Sequence, residues 1–183
     1  MKRLAVLLFV ASLAATACGG TSTAADSATA GLKPATEGVP GVVVVPVPGR
    51  NHVKGHVDYP SSPPAGGNHN PVWQNCGVYT KPIANENGVH SLEHGAVWIT
   101  YQPTLAAAQV ATLQKLTKAN SYALLSPFEG IKSPVVASAW GKQLALPSAD
   151  DPRLAVFLRT YLQGPQTPEP GAACTGGTGT PQQ

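Results

Sequence analysis

Between Ala96 and Gly164 the chain carries five periodic segments in the order strand, helix, strand, strand, helix, and this succession constrains the fold more than any other feature. AVWITY, Ala96 to Tyr101, is a β-branched and aromatic run and the clearest strand of the sequence. Pro103 and Thr104 then open a helix to about Ala119, with Thr104 as the expected N-cap, Val110, Leu113 and Leu116 on the buried side, and Asn120 as the stop. Ser121 to Phe128 and Val135 to Gly141 read as strands and as antiparallel neighbours. In ADDPRLAVFLRTYLQG, Asp150 or Asp151 caps a helix and Pro152 sits in its first turn. Leu154, Phe157, Leu158 and Tyr161 fall at i, i+3, i+4 and i+7, and Gly164 ends it. The prediction is an α+β fold: a single compact domain, mostly antiparallel sheet with two helices packed on one face, and a loop-rich, histidine-containing N-terminal half.

The N-terminus sets the compartment. MKRLAVLLFVASLAATAC has Lys2 and Arg3, an apolar run from Leu4 to Ala15 too short to span a bilayer, and small residues up to Cys18. Residues 1–18 are therefore expected to be a lipoprotein signal peptide ending at a lipidated Cys18. The alternative is an ordinary signal cut near Ala17, because Ala15 stands where a leucine is usual. A diacylglyceryl group with an amide-linked acyl chain anchors stably where one chain is marginal. Residues 19–40, mostly Gly, Ser, Thr, Ala and Pro, read as a flexible linker, 41–177 as the globular domain and 178–183 as a disordered tail. Without residues 1–17 the chain has ten basic residues against nine acidic ones, a net charge of +1. With no basic stripe, a nucleic-acid partner is not expected, and the chain reads as a monomer held at the membrane by lipid alone, with any protein partner left open.

If Cys18 is acylated, Cys76 and Cys174 remain, in a compartment that permits oxidation. The first reading is a disulfide closing a loop of about 98 residues, for which chain entropy suggests roughly 4 to 5 kcal/mol. The alternative makes Cys76 a thiolate ligand or reactive thiol.

The N-terminal half is less regular. Gly41 to Val47, broken by Pro46, suits an edge strand, and CGVYTKP a short strand. HVKGHVDY, as a strand, would set His52, Lys54, His56 and Asp58 on one face. PSSPPAGGNHNP is a loop carrying His69, and NENG, Asn85 to Gly88, reads as a turn. All five histidines, at 52, 56, 69, 90 and 94, fall within 43 consecutive positions. A lone histidine is more often a hydrogen-bonding residue than a ligand, but five gathered in one extracytoplasmic segment point to metal binding.

HSLEH, His90 to His94, matches the H-x-x-E-H pattern of inverted zinc peptidases, which requires a helix. Asn87 and Gly88 precede it, Gly95 follows, and strand formers come next, which leaves barely a turn and a half. The expectation is instead an extended segment or a single tight turn at the mouth of the Ala96 strand. In the extended form His90 and His94 share a face and Glu93 points away; in the tight turn Glu93 joins them. Histidines with Glu93, and with Asp58 or Glu86 as further donors, fit Cu(II) or Zn(II). The only methionine is Met1, so no thioether is available to the mature chain, and iron held by histidines and one carboxylate stays open. No nucleotide or organic cofactor is indicated: the Gly-rich pieces near the C-terminus lack the strand before and helix after that a phosphate loop needs.

PPAGGNHNPVWQNCGVYTKP, ENGVHSLEHGAVWITYQP, SPVVASAWGKQL, DDPRLAVFL and QGPQTPEPGAACTGG together resemble a family of bacterial secreted or lipid-anchored proteins common in actinobacteria, the domain of unknown function family 3105. The resemblance runs from about Arg50 to Gly177. It implies histidine at His52, His69, His90 and His94, glutamate at Glu93, and cysteine at Cys76 and Cys174, with His56 outside the pattern and so the second-rank ligand. Asn68 stands where members tend to carry proline. The resemblance implies no activity and no particular metal.

Three functions follow as expectations. One is a cell-surface lipoprotein handling copper or zinc, with His69, His90 and His94 as ligands, His52 as a fourth, and Glu93 as the group that orients them. Another is an enzyme in which the same cluster activates a metal-bound water with Glu93 as base. The last is a metal-free interaction module using the Pro/Gly loop and Trp73, although Trp73, Trp98 and Trp140 read first as core residues and the histidines could simply bond loop backbone.

Overall fold

A strand with both faces covered has no polar side, and Val97–Tyr101 (β4) is such a strand, buried at every position. The computed structural model describes residues 33–34 and 38–182, so the signal segment, Cys18 and most of the 19–40 stretch lie outside the described residues. Among the described residues seven strands form one sheet in the order β1-β2-β7-β6-β4-β5-β3. They are Lys33–Pro34 (β1), Val43–Val44 (β2), Gly77–Val78 (β3), β4, Ala123–Pro127 (β5), Val135–Ala139 (β6) and Lys142–Leu146 (β7). β1 falls within the stretch read as a linker.

The sheet is mixed. β4 runs parallel to β5 and β5 parallel to β3, whereas β4–β6, β6–β7, β7–β2 and β2–β1 are antiparallel. This overturns the expectation of a mostly antiparallel sheet in which the Ser121 and Val135 strands are neighbours. The helix Ala107–Lys118 (α2) carries the chain from β4 back to the start of β5. Such a crossover returns a strand parallel to the first, and β6 must then pair on the other side of β4. Thr104 does not cap α2: Gln102 to Leu105 forms a turn of its own, closed by Leu105 N–H to the Gln102 carbonyl at 2.8 Å, and helix begins after Ala106. The last helix, Pro152–Tyr161 (α3), follows the sequence closely, with Asp151 accepting from the Arg153 N–H at 2.9 Å and Leu154, Phe157, Leu158 and Tyr161 buried.

The described residues form three helices, and these occupy both faces. Alternate residues of β4 feed two cores. Val97, Ile99 and Tyr101 pack with Leu113 of α2 and with Leu154, Phe157 and Leu158 of α3. Trp98 faces the other way, with Leu124 and Trp140, against Val89 and Leu92 of the third helix, Asn85–Glu93 (α1). Of HVKGHVDY only His52 joins a ladder, in a single bridge to His69. Cys76 and Cys174 are joined in a disulfide with Cα atoms 5.3 Å apart, as the first reading had it.

α1 is the element the sequence conceals, since NENG, Asn85 to Gly88, has the composition of a turn. A methyl group on Gly88 would lie 2.8 Å from Cζ3 of Trp98, so this position of the helix admits no Cβ. Gly95, at φ +95°, ends the helix in a conformation that favours glycine. Two effects of Gly88→Ala therefore oppose: a gain of about 1 kcal/mol in helix propensity, and an overpacking cost of about 1–3 kcal/mol against the fully buried Trp98. Net destabilisation with altered Trp98 fluorescence is expected in urea unfolding. A stabilised variant would show that α1 does not press on Trp98.

Candidate metal centre

The helical form of α1 decides the geometry of HSLEH. Positions 90, 93 and 94 are at i, i+3 and i+4, so His90, Glu93 and His94 project from one side of the helix while Val89 and Leu92 anchor the other to the sheet. The extended segment and the single tight turn are both set aside. The loop upstream closes on this surface. The His69 N–H donates to the Asn51 carbonyl (3.0 Å) and Val53 N–H to the His69 carbonyl (2.7 Å), which sets His52 and His69 side by side. Asn70 N–H to the Glu86 carbonyl (3.2 Å) and Gln74 N–H to the Asn87 carbonyl (3.1 Å) tie the loop to the first turn of α1.

Donor atoms from His52, His69, His90 and Glu93 lie within 4.8 Å of one another. His69 is fully buried, and His90, Glu93 and His94 are 3%, 2% and 4% exposed. Zinc–nitrogen bonds are about 2.0–2.1 Å, so inward shifts on the order of 1 Å bring all four donors to bonding distance. His94 extends the group, with its Nε2 2.9 Å from Nε2 of His90. His56 stands apart: three-quarters exposed, its ring nitrogens lie 3.3 Å from Asp58 Oδ1 and 3.3 Å from Glu86 Oε1.

Hydrogen bonding fixes what these rings present. Nδ1 of His69 lies 2.8 Å from the Gly67 carbonyl, Nδ1 of His90 2.6 Å from that of Asn70, and Nδ1 of His94 2.7 Å from that of Ala173. A carbonyl only accepts, so each Nδ1 carries its hydrogen, and the neutral ring then holds a bare lone pair on Nε2. Those lone pairs are poorly matched to protein partners. Oε2 of Glu93 is 2.9 Å from His69 Nε2 yet off the line along which that nitrogen would donate, so Nε2 has no hydrogen-bond partner. His90 and His94 turn two lone pairs toward each other. Only a cation or an extra proton between such groups removes the repulsion. The remaining neighbour of the Glu93 carboxylate is His52 Nε2, at 3.9 Å. The buried rings donate their second ring N–H outward, and the cluster is geometrically compatible with a divalent ion such as copper or zinc.

Several supporting residues carry no mark in the sequence. The indole of Trp73 packs on His94 and His90, with ring centroids 5.0 and 5.7 Å apart. Gln163 donates to the His94 carbonyl from Nε2 and accepts from Gly171 N–H (2.8 Å) at Oε1, while its own N–H donates to the Gly95 carbonyl (2.9 Å). It holds φ +51°, a conformation costly outside glycine. The carbonyl that orients His94 belongs to Ala173, next to Cys174, and Cys76 N–H donates to the Cys174 carbonyl at 2.8 Å. The disulfide thus fixes one of the three orienting carbonyls.

Fold and site define an α+β domain with a buried histidine–glutamate cluster suited to a divalent metal. The chain belongs to the family described as protein of unknown function (DUF3105), whose family model matches residues 52–176 and so takes in every residue of the cluster and both cysteines of the disulfide. No curated protein and no solved structure matches the chain. Among the described residues no helix is long and apolar enough to cross a membrane.

Burial pulls the His90 imidazole down from 6.5 to about 4, against the opposing effect of the Asn70 carbonyl and with smaller contributions from His94, His69 and His52. Folded His90 therefore refuses a proton that unfolded His90 accepts between those values. Its contribution to stability is complete above pH 6.5 and is lost as pH falls toward 4. In urea unfolding with a chelator present, the wild-type chain is expected to lose stability between about pH 7 and about pH 5, and His90→Gln to lose measurably less. Equal losses would assign the effect to another group.

Proposed function

We propose that this protein is a lipid-anchored metal-binding protein of the extracytoplasmic face, holding one Cu(II) or Zn(II) ion through His69, His90, Glu93 and His52, with His94 beside them. The observation that carries the reading is the convergence of His52 and two carbonyl-locked imidazoles, His69 and His90, on a carboxylate 2% exposed. Burying that carboxylate among uncharged rings is costly, and a divalent ion offsets the cost while using every lone pair. The donor set of nitrogens and one carboxylate oxygen, in a mature chain without methionine, suits Cu(II) and Zn(II) better than Cu(I), and the Irving–Williams order favours copper.

The compartment supports this assignment. A disulfide joining Cys76 and Cys174 suits an oxidising space, and the signal segment ending at Cys18 supplies the route and the acyl anchor. The protein acts as a monomer, with no basic stripe for nucleic acid.

A second reading, a metal-dependent hydrolase, draws on His90-x-x-Glu93-His94 lying on a helix. In that chemistry the glutamate faces a water and acts as base. Here it sits 2.9 Å from His69 among the other donors, so we assign it as a ligand.

With Cys18→Ser to avoid acylation, the full chain should retain about one equivalent of Cu(II) or Zn(II) after dialysis, measured by elemental analysis and titration calorimetry. The His69→Ala, His90→Ala double variant should retain none. Free metal at about 1,000 times Kd should add about 4 kcal/mol to the stability of the first protein and nothing to the second. Equal uptake by both would sink the proposal.

A further inference from the structure

The four histidines near Glu93 are not held alike. His69, His90 and His94 are buried, each with Nδ1–H bonded to a backbone carbonyl. The His52 side chain is 51% exposed, and its ring makes no hydrogen bond among the described residues. Its contacts are ring contacts and the Glu93 carboxylate at 3.9 Å. It stacks on His90 with centroids 4.8 Å apart and planes inclined by 25°, and meets His69 edge-on at 5.1 Å. Backbone pairing at His69 fixes where residue 52 enters the site, but among the described residues no hydrogen bond fixes the rotation of its ring.

Loss of an orienting bond to a ligand costs a metal site about 10- to 100-fold in affinity. The ligand that never had one is the first to leave. His52 also lies between the buried donors and solvent, so a group arriving from outside meets this position first. What can replace it follows from its surroundings. The place is bounded by the flat face of His90, so an incoming planar nitrogen heterocycle keeps the stacking that a small anion would forfeit. The anionic Glu93 beside it further favours a neutral donor.

We propose that His52 is the exchangeable ligand of the centre, and that metal enters and leaves when an imidazole-type donor takes its place. The proposal rests on the metal-binding reading above. In the exchange the His52 Nε2–metal bond breaks as a bond from the incoming imidazole nitrogen forms. Both donors are neutral, so the charge of the site and the oxidation state of the metal are unchanged. His69, His90 and Glu93 keep the ion through this first exchange, and release follows only when the incoming donor draws it from them. The incoming ring is either a free small molecule or a histidine side chain on a protein that delivers or receives the metal.

The test uses the full chain with Cys18→Ser, loaded with Cu(II), and compares it with His52→Ala and His69→Ala in that background. Circular dichroism should show both variants folded, His52→Ala in particular because the pairing at residue 52 is made by backbone atoms. His52→Ala should still bind one Cu(II), release it to a chelator at least about ten-fold faster, and be slowed again by millimolar imidazole but not by millimolar azide. The copper paramagnetic resonance spectrum should return toward that of the parent as imidazole is added. His69→Ala should bind no stoichiometric copper and gain nothing from imidazole. A histidine-bearing peptide that draws copper from the parent faster than free imidazole at equal concentration would identify a protein as the source, and the reverse ranking a small molecule. His52→Ala that loses copper as fully as His69→Ala, or that imidazole does not rescue, overturns the proposal and leaves the metal centre standing. A parent that binds no metal overturns both.

Discussion

Three bonds from imidazole Nδ1–H to backbone carbonyls set the orientation of the buried histidine rings. The carbonyls belong to Gly67 and Asn70 in the loop before α1 and to Ala173 near the C-terminus. Each leaves the ring one orientation and one exposed lone pair, so a flexible group becomes an aimed donor. Taken singly, such a bond is the ordinary way a buried histidine satisfies itself. Taken together, with His90 and His94 Nε2 turned toward each other and His69 Nε2 toward Glu93, the three bonds create an electron-rich pocket that calls for a cation or an extra proton.

The rest of the fold keeps those carbonyls in place. Both faces of β4 are covered, and Trp98 reaches from the sheet under α1 to set its height. Nε1 of Trp98 donates to Ser126 Oγ at 3.0 Å, so the indole itself is held. The chain beyond α3 returns over the site, fastened by Gln163, by Tyr122 Oη donating to the Ala172 carbonyl at 2.9 Å, and by the disulfide. A link across 98 positions would be worth roughly 4 to 5 kcal/mol through chain entropy alone. Its local consequence, holding Ala173 against His94, bears more directly on the site.

How much was legible in the sequence follows from which signals were periodic. α3 announces itself through Asp151, Pro152 and its apolar spacing, and β4 through its β-branched run, so both were readable. α1 was not, because Asn85 to Gly88 has the composition of a turn, and the reason glycine is required at position 88 is an indole ten residues later. Missing α1 also removed the evidence that helices cover both faces. The parallel pairing of β4 with β5 was implicit in strand–helix–strand order, but two flanking strands can exchange places without changing either local pattern. For the site, clustering of histidines at positions 52 to 94 was enough to single out His52, His69 and His90, which the fold gathers around Glu93, but not to show that His56 stands apart. The carbonyls that aim them have no sequence signature, since every residue has one.

The position of Glu93 shows why a motif needs its surroundings. On a bare helix, H-x-x-E-H places two histidines on one face with glutamate at its edge, and a water between glutamate and metal gives hydrolytic chemistry. Here loop residues pinned by the Asn51–His69 and Asn70–Glu86 bonds bring His69 to that edge. The space a water would need is taken by an imidazole, and the carboxylate is drawn in among the donors. The same five residues therefore belong, in this fold, to a buried donor cluster that could hold a metal, because the upstream loop closes over the helix and leaves His52 half-exposed at its edge.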